Sequence, residues 1–463
     1  MKVMTRWDKL KKTLAIESLE RLMNFGSHLS NPQLIALLNV AEKMTKEKDI
    51  KNVIVNAREQ IQRDHPWVDL AKRIFKDLHP NYRKLIVNFF VNSIIRSLSK
   101  RREIEKEKGF LPPFSIVISP SMRCNLNCKG CYAGKYRKEK GLSIDLVDSI
   151  ISQGKKMGTL FYTISGGEPF LRKDLLRVYE KHNDCVFHIY TNGTLLNKSY
   201  AQKLVELGNI IPLISIEGSI EETDARRGKG IYEKVMHSMD NLKEEGIPFG
   251  FSATHTSLNT KKILSDEFID LMIEKGAIIG WFFQYIPIGQ KPDLSFIPSI
   301  DDRDLRRRTI LRWRNTKSIA IYDFWNDGCL IRGCIAGGRY LHIVSNGDVE
   351  PCVFVHFAVD NIKDKSLEEI LTSPFFKAIQ KRQPYMDEDE KNPNYLRPCM
   401  IIDHPNILRE VKKETNAHPT CEKAEEILTG PIACKLDKLA LEWKEKATPI
   451  WEKEYKRYHE GSL

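Results

Sequence analysis

Three cysteines lie close together in the sequence, at Cys124, Cys128 and Cys131. Three thiolates with this CxxxCxxC spacing can bind three irons of a cubane iron–sulfur cluster, and the fourth iron is then open to a small molecule. A structural zinc site needs four ligands, and the nearest further candidate, His182, lies about fifty residues downstream. The triplet therefore favours an iron–sulfur cluster with one open iron, and zinc or free thiols are the alternatives.

The remaining cysteines form a second group and one isolated residue. The second group lies in the C-terminal third of the chain and consists of Cys329, Cys334, Cys352, Cys399, Cys421 and Cys434. Cys185 stands apart in the apolar run CVFHIY, where a buried small hydrophobic side chain is expected. The run SNGDVEPC predicts a β-hairpin with an Asn-Gly turn, which brings Cys352 back toward Cys334.

The bulk composition limits the class of protein. Of 463 residues, 41% are hydrophobic and 29% charged, so two or three globular domains are expected. No run approaches the roughly 18–20 apolar residues that span a bilayer, and the N-terminus MKVMTRWDKLKK lacks the apolar part of a secretory signal. These features indicate the cytoplasm, where cysteines serve as metal ligands or redox groups more often than as disulfides.

The elements that position the cysteines change character at Pro112-Pro113. Residues 1–112 have helical periodicity, and residues 1–110 contain 23 Lys and Arg against 13 Asp and Glu. Short β-rich runs then alternate with helical stretches. The predicted strands are residues 114–119, 159–165, 185–191, 210–218, 249–256 and 278–287.

Six successive βα units predict an α/β fold with a parallel sheet and right-handed crossovers, either open or curled toward a barrel. Six units close only part of an eight-stranded barrel. In barrels of this type chemistry lies at the C-terminal ends of the strands. The first cysteine triplet follows the first predicted strand, so it lies at that end of the sheet.

Motifs after the strands resemble those of the radical S-adenosylmethionine (SAM) superfamily. The CxxxCxxC loop resembles its defining motif, and Ser165-Gly-Gly-Glu-Pro169 resembles its GGEP motif. Thr191-Asn-Gly-Thr194 and Asp224-Ala-Arg-Arg-Gly228 are similar to further elements of the family. One departure is Gly130, which precedes the third cysteine where many members have an aromatic residue; Tyr132 is the candidate to cover the cluster instead.

The resemblance implies the ligands of a [4Fe–4S] cluster and of SAM. Cys124, Cys128 and Cys131 hold the cluster, and the amine and carboxylate of SAM chelate its fourth iron. Glu168 binds the methionine ammonium, and Arg227 its carboxylate. The implied cofactor-binding residues are Tyr132, Gly166, Gly167, Glu168, Asn192, Ser215, Glu217, Arg227 and Gln284.

The resemblance also implies the reaction. A reduced cluster cleaves SAM into methionine and a 5′-deoxyadenosyl radical, which abstracts hydrogen from an unactivated C–H bond. Reduced ferredoxin or flavodoxin is the expected electron donor, and the enzyme is expected to work only under anaerobic conditions. Placing SAM against the substrate and excluding water are the tasks of the protein.

The segment from Cys334 to Cys352 resembles the C-x(9–15)-G-x4-C opening of the SPASM and twitch extensions of radical SAM enzymes. By this resemblance Cys329 and Cys399 complete a four-thiolate site for one auxiliary [4Fe–4S] cluster. Zinc is the alternative, because four thiolates suit either metal. Cys421 and Cys434 are too few for a further cluster.

The predicted architecture is thus a partial (β/α)6 TIM-type barrel with additions at both ends. We expect a helical basic N-terminal domain over residues 1–112 and the radical SAM partial barrel over 113–325. An auxiliary-cluster, SPASM-like domain is expected over 326–404, and a C-terminal helical segment over 405–463.

The substrate hypothesis depends on the N-terminal helices. The most apolar predicted helix, residues 82–102, has basic residues at both ends and suits a membrane surface; packing inside an N-terminal bundle is the alternative. The layout resembles radical SAM enzymes that join lipid chains, such as tetraether synthases. The leading hypothesis is therefore C–C bond formation on a membrane lipid, with peripheral contact at the inner face of the membrane.

Two other functions stay open. The auxiliary-cluster extension resembles that of enzymes that modify ribosomally made peptides or proteins, although residues 1–112 lack the β-rich winged-helix module that recognises such peptides. A non-catalytic iron–sulfur or zinc-binding protein fits the charge. This non-catalytic function would not explain the GGEP motif, Glu217 or Arg227. No nucleic-acid partner is expected.

Overall fold

The computed structural model describes residues 21, 24–44, 48–92, 97–138 and 141–456. A nine-stranded sheet forms its centre, with the order β7-β6-β5-β4-β3-β2-β1-β8-β9. Every neighbouring pair is parallel except β8 and β9. The strands are β1 Ser115–Ile118, β2 Phe161–Ile164, β3 Val186–Thr191, β4 Ile210–Ser215, β5 Gly250–His255, β6 Ile279–Gln284, β7 Ala320–Asp323, β8 Tyr340–Ile343 and β9 Val349–Glu350.

The helices follow the predicted alternation. Those before the sheet are α1 Asn31–Met44, α2 Lys48–Gln62, α3 Trp67–Asp77, α4 Pro80–Asn92 and α5 Leu98–Lys108. Those between strands are α6 Ile144–Lys156, α7 Leu176–Lys181, α8 Lys198–Leu207, α9 Ile220–Arg227, α10 Ile231–Glu244, α11 Thr260–Ile263, α12 Asp266–Glu274, α13 Ile300–Arg314 and α14 Gly328–Ile331. The rest are α15 Leu367–Leu371, α16 Pro374–Arg382, α17 Pro405–Thr415 and α18 Gly430–Ile450, with a second small sheet of β10 Phe357–Ala358 and β11 His418–Pro419.

The predicted α/β fold class is confirmed. All six predicted strands are present, and β7 and β8 extend the sheet at its two ends. The predicted hairpin is also present, since β8 and β9 pair antiparallel with His342 opposite Glu350. Gly347 takes a φ of +100° in its turn, a conformation that favours glycine.

Side-chain caps mark the starts of several crossover helices. Ser and Asn side chains accept hydrogen bonds from backbone N–H groups of the first helical turn, which have no partner within the helix. The capped helices are α6, α8, α12 and α13, with Ser143, Asn197, Ser265 and Ser299 as the capping residues. Each capping residue therefore marks the point at which a loop ends and the next helix begins.

The two faces of β6 lie in different surroundings. One face packs against the helices, and the other lines the inside of the curved sheet, the lumen. Phe282 packs edge-on against Phe251 and against Trp313 of α13, on the helix-covered face. Trp281 and Phe283 alternate with it and therefore point to the opposite, inner face. Both inner residues are only half-buried. The inner face of the sheet is thus an aromatic surface that solvent can partly reach.

The structure describes both ends of the helix predicted over residues 82–102. They belong to α4, which reaches Asn92, and to α5, which is described from Leu98 on; residues 93–96 of this prediction lie outside the described residues. Tyr82 on α4 is fully buried and donates to the Leu204 carbonyl at 2.8 Å. The Phe89 ring lies 5.9 Å from that of Phe161 in β2. These residues of α4 therefore pack on the barrel.

No helix within the described ranges is long and apolar enough to cross a membrane.

Replacing Tyr82 tests this docking. Tyr82→Phe removes one buried hydrogen bond, which contributes about 1 kcal/mol, and Tyr82→Ala also leaves a cavity, at a cost of about 3–5 kcal/mol. We expect thermal unfolding temperatures in the order wild type, Tyr82→Phe, Tyr82→Ala. The matched control is Trp67→Ala on α3, where the side chain is 39% exposed. Equal unfolding temperatures for Tyr82→Ala and wild type would show that α4 does not dock through this residue.

Candidate functional site

The first cysteine loop follows β1 directly, and Cys124, Cys128 and Cys131 are all half-buried. The Leu126 N–H donates to the Cys124 sulfur at 3.4 Å. Burial raises the pKa of Cys124 and of Cys131, while Arg226 and other nearby positive groups favour the thiolate of Cys131. Cys128 lies close enough to raise the pKa of both Cys124 and Cys131, so the loop gathers the three thiols at one place.

The segment after β2 runs along the first cysteine loop with little space between the two backbones. The Gly167 N–H donates to the Ser121 carbonyl at 3.0 Å, and the Glu168 N–H to the Arg123 carbonyl at 2.8 Å. A Cβ on Gly166 would lie 2.4 Å from the Ser121 oxygen, and one on Gly167 would lie 2.1 Å from the Arg123 oxygen. Both glycines are thus required by this close approach.

Glu168 is buried, and both of its carboxylate oxygens have donors. Oε1 accepts from the Phe170 N–H at 3.0 Å and the Thr191 hydroxyl at 2.8 Å, and Oε2 accepts from the Asn192 N–H at 2.8 Å. Burial raises the pKa of Glu168, and these hydrogen bonds oppose that rise. The carboxylate is therefore fixed in orientation at the ends of β2 and β3.

Asn192 ties the loop after β3 to the first cysteine loop. Its Nδ2 donates to Asn125 Oδ1 at 2.8 Å and lies 3.8 Å from the Cys124 sulfur. Asn125 in turn donates to the Thr194 hydroxyl at 2.8 Å. The predicted Thr191–Thr194 motif thus holds the start of the cysteine loop in place.

Glu217, two residues after β4, is buried beneath two arginines of α9. Arg226 and Arg227 both donate to its Oε1, Arg227 Nε at 2.8 Å. Burial lowers the pKa of Arg227, but the charges of Glu217 and of the Cys128 and Cys131 thiolates raise it above its ordinary value. Only Arg227 was predicted from the sequence, and the structure adds Arg226 to the same group.

Ser215 and Gln284 lie at the ends of β4 and β6. The Ser215 hydroxyl is 3.4 Å from that of Ser252 in β5. Gln284 faces the helix layer, where its oxygen accepts from Arg306 at 3.4 Å. Arg306 also donates to Asp323 at 2.9 Å, so Gln284 belongs to a buried network below the loops. The structure does not direct this side chain toward the cysteine loop.

Tyr132 does not cover the side of the loop at Gly130. Its hydroxyl hydrogen-bonds with Ser165 Oγ at 2.7 Å. Its ring lies 5.6 Å from Phe354 and 6.4 Å from His356. Tyr132 therefore points toward the end of β2 and toward the second cysteine group.

The β8–β9 hairpin brings the second group together. Burial raises the pKa of Cys352 and Cys399, and each is raised further by the nearby Cys334 thiol. Cys329 lies on α14 beside the same region. A Cβ on its neighbour Gly328 would lie 2.3 Å from the Tyr395 carbonyl oxygen and 2.9 Å from the Pro398 ring. The structure thus gathers Cys334, Cys352 and Cys399, whereas Cys329 packs beside Leu396 and Trp443 and stays a predicted ligand only.

A buried ion pair fastens the last of these cysteines to the barrel. Arg303 of α13 donates to Asp403 Oδ1 at 2.6 Å, and both residues are buried. The Asp403 Oδ2 accepts from the Cys399 N–H at 3.0 Å. The Arg303 guanidinium also lies 4.2 Å from the ring centre of Trp443 in α18. One arginine therefore connects the barrel, the second cysteine group and the C-terminal helix.

Sequence reasoning missed a buried polar group between the two cysteine regions. Glu350 Oε2 is 2.7 Å from His342 Nδ1, and its Oε1 accepts from the Tyr136 hydroxyl at 2.7 Å. The predicted hairpin contains the signal for the first contact, because it places His342 opposite Glu350. His356 Nδ1 lies 3.0 Å from the Cys421 sulfur, a contact across 65 residues that the sequence does not reveal.

Comparisons with known proteins agree with this arrangement. Residues 118–272 match the family model described as the radical SAM superfamily. Residues 334–400 match the SPASM model, described as an iron–sulfur cluster-binding domain. The chain thus contains a radical SAM domain followed by a SPASM domain. Together these two domains imply a SAM-binding [4Fe–4S] cluster, auxiliary iron–sulfur clusters and SAM as cofactors.

Curated relatives cover different parts of this radical SAM chain. The Fe-coproporphyrin III synthase of Methanosarcina barkeri is 35% identical over 153 residues, which are 32% of this chain and 38% of that protein. An AdoMet-dependent heme synthase of Nitratidesulfovibrio vulgaris is 25% identical over 304 residues, 58% of this chain and 82% of that protein. Mycofactocin maturase MftC of Mycolicibacterium smegmatis is 28% identical over 322 residues, 65% of this chain and 79% of that protein.

Solved structures share the fold. Streptococcus suis SuiB bound to S-adenosylmethionine has a TM-score of 0.57 and 22% identity, over 70% of this chain and 81% of that one. These comparisons do not support the predicted lipid-coupling resemblance or a membrane contact.

Iron analysis tests both cysteine groups. The anaerobically reconstituted protein is expected to hold about eight irons and eight acid-labile sulfides per chain, the content of two cubanes. Cys124→Ala is expected to lose about four irons and all 5′-deoxyadenosine formation, and Cys334→Ala to lose the other four. The control is Cys434→Ala, since Cys434 is exposed on α18. About four irons in the wild type would contradict the second cluster.

Alkylation tests whether the Cys421 thiol is buried and protonated in the folded protein. Burial and the nearby Glu350 raise the pKa of its thiol to about 12. At pH 8 only about one molecule in 10,000 then carries the reactive thiolate. Iodoacetamide is therefore expected to label the exposed Cys434 and to spare Cys421 until the protein is denatured, as read by peptide mass spectrometry. Equal labelling of the two in the native protein would contradict this burial.

Proposed function

We propose that this chain is a radical SAM enzyme that modifies a peptide or protein. The observation that carries the proposal is the first cysteine loop, whose three gathered thiols leave one position of a cluster open beside Glu168, Glu217 and Arg227. When bound, the cluster and SAM supply one-electron cleavage of SAM and abstraction of hydrogen from an unactivated C–H bond. The residues around the loop bind and orient SAM for that step.

The fixed carboxylate of Glu168 is the proposed binding site of the methionine ammonium. Three donors hold its two oxygens, and Oε2, which accepts only from the Asn192 N–H, keeps further acceptor capacity. Arg227 is the proposed partner of the methionine carboxylate, because it lies close to Cys128 and Cys131. Glu217 is assigned to the ribose. Orientation of this kind is how a protein converts a bound cofactor into a reactive one.

The inner face of the barrel supports a substrate with apolar side chains. Tyr190 of β3 and Phe283 of β6 lie 5.7 Å apart, although two strands separate them in the sheet, so their contact crosses the lumen. Trp281 stacks on Tyr322 at 4.6 Å, and Tyr322 is 42% exposed. The buried Trp281 Nε1 has no hydrogen-bond partner among the described residues. It is a free donor suited to a peptide carbonyl of the substrate.

The relatives support the same class of substrate. MftC is named a mycofactocin maturase, and Bacillus subtilis SkfB is named a sporulation killing factor maturation protein. SuiB has been solved bound to the precursor peptide SuiA.

We assign one auxiliary [4Fe–4S] cluster to Cys329, Cys334, Cys352 and Cys399. Reduced ferredoxin or flavodoxin is the proposed electron donor.

A heme precursor is the second candidate substrate. AdoMet-dependent heme synthases match 58% of this chain, and their match covers most of their own length. The aromatic lumen also offers flat apolar surfaces to a macrocycle. The peptide candidate predicts that a peptide stimulates SAM cleavage, and the heme candidate predicts that a heme precursor does.

Substrate-dependent SAM cleavage decides between the candidates. The reconstituted full chain is incubated under anaerobic conditions with dithionite, SAM and either short peptides encoded beside its gene or iron coproporphyrin III. We expect a peptide to increase 5′-deoxyadenosine formation and to change mass, as read by mass spectrometry. Trp281→Phe, which removes the N–H and leaves a smaller aromatic ring, should raise the KM for the peptide with little change in kcat.

Cys124→Ala is the inactive control for this experiment. Stimulation by iron coproporphyrin III alone would replace the peptide proposal with the heme candidate. A wild-type enzyme that is stimulated by neither probe would contradict both candidates, and SAM cleavage by Cys124→Ala would contradict the radical SAM site itself.

A further inference from the structure

Tyr385 is a buried tyrosine beside the three gathered thiols of the second cysteine group. Only 3% of the residue is exposed. Burial raises the pKa of its hydroxyl, and the nearby thiols of Cys334, Cys399 and Cys352 raise it further. All three thiols therefore lie close to this side chain. The phenol group belongs to the surroundings of the second cysteine group rather than to the proposed SAM site.

Gln383 holds the Tyr385 hydroxyl on the side of Cys334. The Gln383 Nε2 donates to the Tyr385 hydroxyl oxygen at 3.3 Å and to the Ala336 carbonyl at 2.7 Å. The Ala336 N–H in turn donates to the Cys334 sulfur at 3.4 Å. Because the hydroxyl oxygen accepts from Gln383, its own proton is available for a second hydrogen bond.

The ring of Tyr385 is held on the side of Cys399. Its centre lies 6.1 Å from that of the His404 ring. The His404 N–H donates to the Cys399 carbonyl at 2.9 Å, and the Ile401 N–H donates to the Cys399 sulfur at 3.3 Å. The hydroxyl and the ring are thus fixed by two different segments, and the side chain lies between two of the cysteines.

The Cys334 sulfur is the acceptor for the available proton of this hydroxyl. Among the residues that the structure describes, no oxygen or nitrogen accepts it. Burial raises the pKa of Cys334 to about 11, and hydrogen bonds from the Ala336 N–H and the Tyr385 hydroxyl oppose that rise. A hydrogen bond of this kind stabilises the thiolate, which is the form of the sulfur that binds iron.

We infer that the Tyr385 hydroxyl donates a hydrogen bond to the Cys334 thiolate and thereby raises the reduction potential of the auxiliary cluster. Hydrogen bonds to ligand sulfurs are among the determinants of such potentials. They draw electron density away from the iron and so stabilise the cluster that has gained an electron. Because Tyr385 acts through Cys334, it is a positioning residue. The inference rests on the auxiliary cluster of the proposed function.

The first cysteine loop differs from the second group in this respect. The Cys124 sulfur accepts from the Leu126 N–H at 3.4 Å and lies 3.8 Å from the Asn192 amide nitrogen. Within the described part of the chain, no side-chain hydroxyl donates to a sulfur of this loop. The Tyr385 hydroxyl therefore acts on one cluster and not on the other, and it separates their potentials.

A potentiometric titration followed by electron paramagnetic resonance tests the inference. The reconstituted full chain carries Cys124→Ala, so the auxiliary cluster gives the signal. Tyr385→Phe removes the hydroxyl and keeps the ring. We expect this change to shift the midpoint potential of the auxiliary cluster to a more negative value, with about four irons retained.

The matched control is Tyr162→Phe in the same Cys124→Ala chain. Tyr162 of β2 is also buried, and its hydroxyl donates to the Ile151 carbonyl at 2.9 Å. Its loss removes one buried hydroxyl away from the cysteines and is expected to leave the potential unchanged. In a chain with Cys334→Ala, which keeps the first cluster, Tyr385→Phe should leave the potential of that cluster unchanged.

Three results would overturn the inference. They are an unchanged or more positive auxiliary potential in Tyr385→Phe, an equal shift in Tyr162→Phe, and loss of the auxiliary iron in Tyr385→Phe, which would make the hydroxyl a requirement for assembly instead. Only about four irons in the wild type would overturn the auxiliary cluster itself, so the two failures can be told apart.

Discussion

The close contact between the first cysteine loop and the backbones beside it is the constraint on which the site depends. The described residues of this loop, 119–138 and 141–143, form no helix or strand, so neighbouring loops must set its shape. Ser121 and Arg123 present carbonyls to the segment after β2, and the Cys131 carbonyl accepts from the loop after β6. These contacts require glycine at positions 166 and 167. The parallel sheet matters because it brings the C-terminal ends of β2, β3 and β6 around one loop.

Charge balance is the second requirement of this enclosed site. A buried carboxylate is costly unless it is paired or hydrogen-bonded. Glu168 meets this requirement with three neutral donors, and Glu217 meets it with Arg226 and Arg227. The two settings differ in net charge: the Glu217 group carries one excess positive charge beside the thiolates. Such a charge favours thiolates over thiols, which is the state that binds iron.

The sequence predicted the local parts of this protein well and its long-range contacts poorly. The six strands were found because β-branched and aromatic residues cluster in each, and the hairpin because of its Asn-Gly turn. Apolar periodicity indicated that residues 82–102 are helical, but it did not show that Tyr82 and Phe89 contact the barrel. Contacts such as Arg303–Asp403 and His356–Cys421 join residues that are 100 and 65 positions apart, and no periodicity encodes them. The lipid hypothesis rested on composition and layout, which describe a surface but not the shape of a substrate.

The two cysteine regions meet through residues that are neighbours of the cysteines themselves. Tyr132 follows Cys131, Phe354 lies two residues after Cys352, and their rings are 5.6 Å apart. Phe354 also lies 6.3 Å from Phe283, whose ring faces the lumen. A substrate in the lumen therefore lies against an aromatic wall that contacts both metal regions. Because the Arg303–Asp403 pair holds the second region to α13, the distance between the two is set by the barrel rather than by a flexible linker. In the proposed function, this fixed spacing is what positions one substrate against both sites.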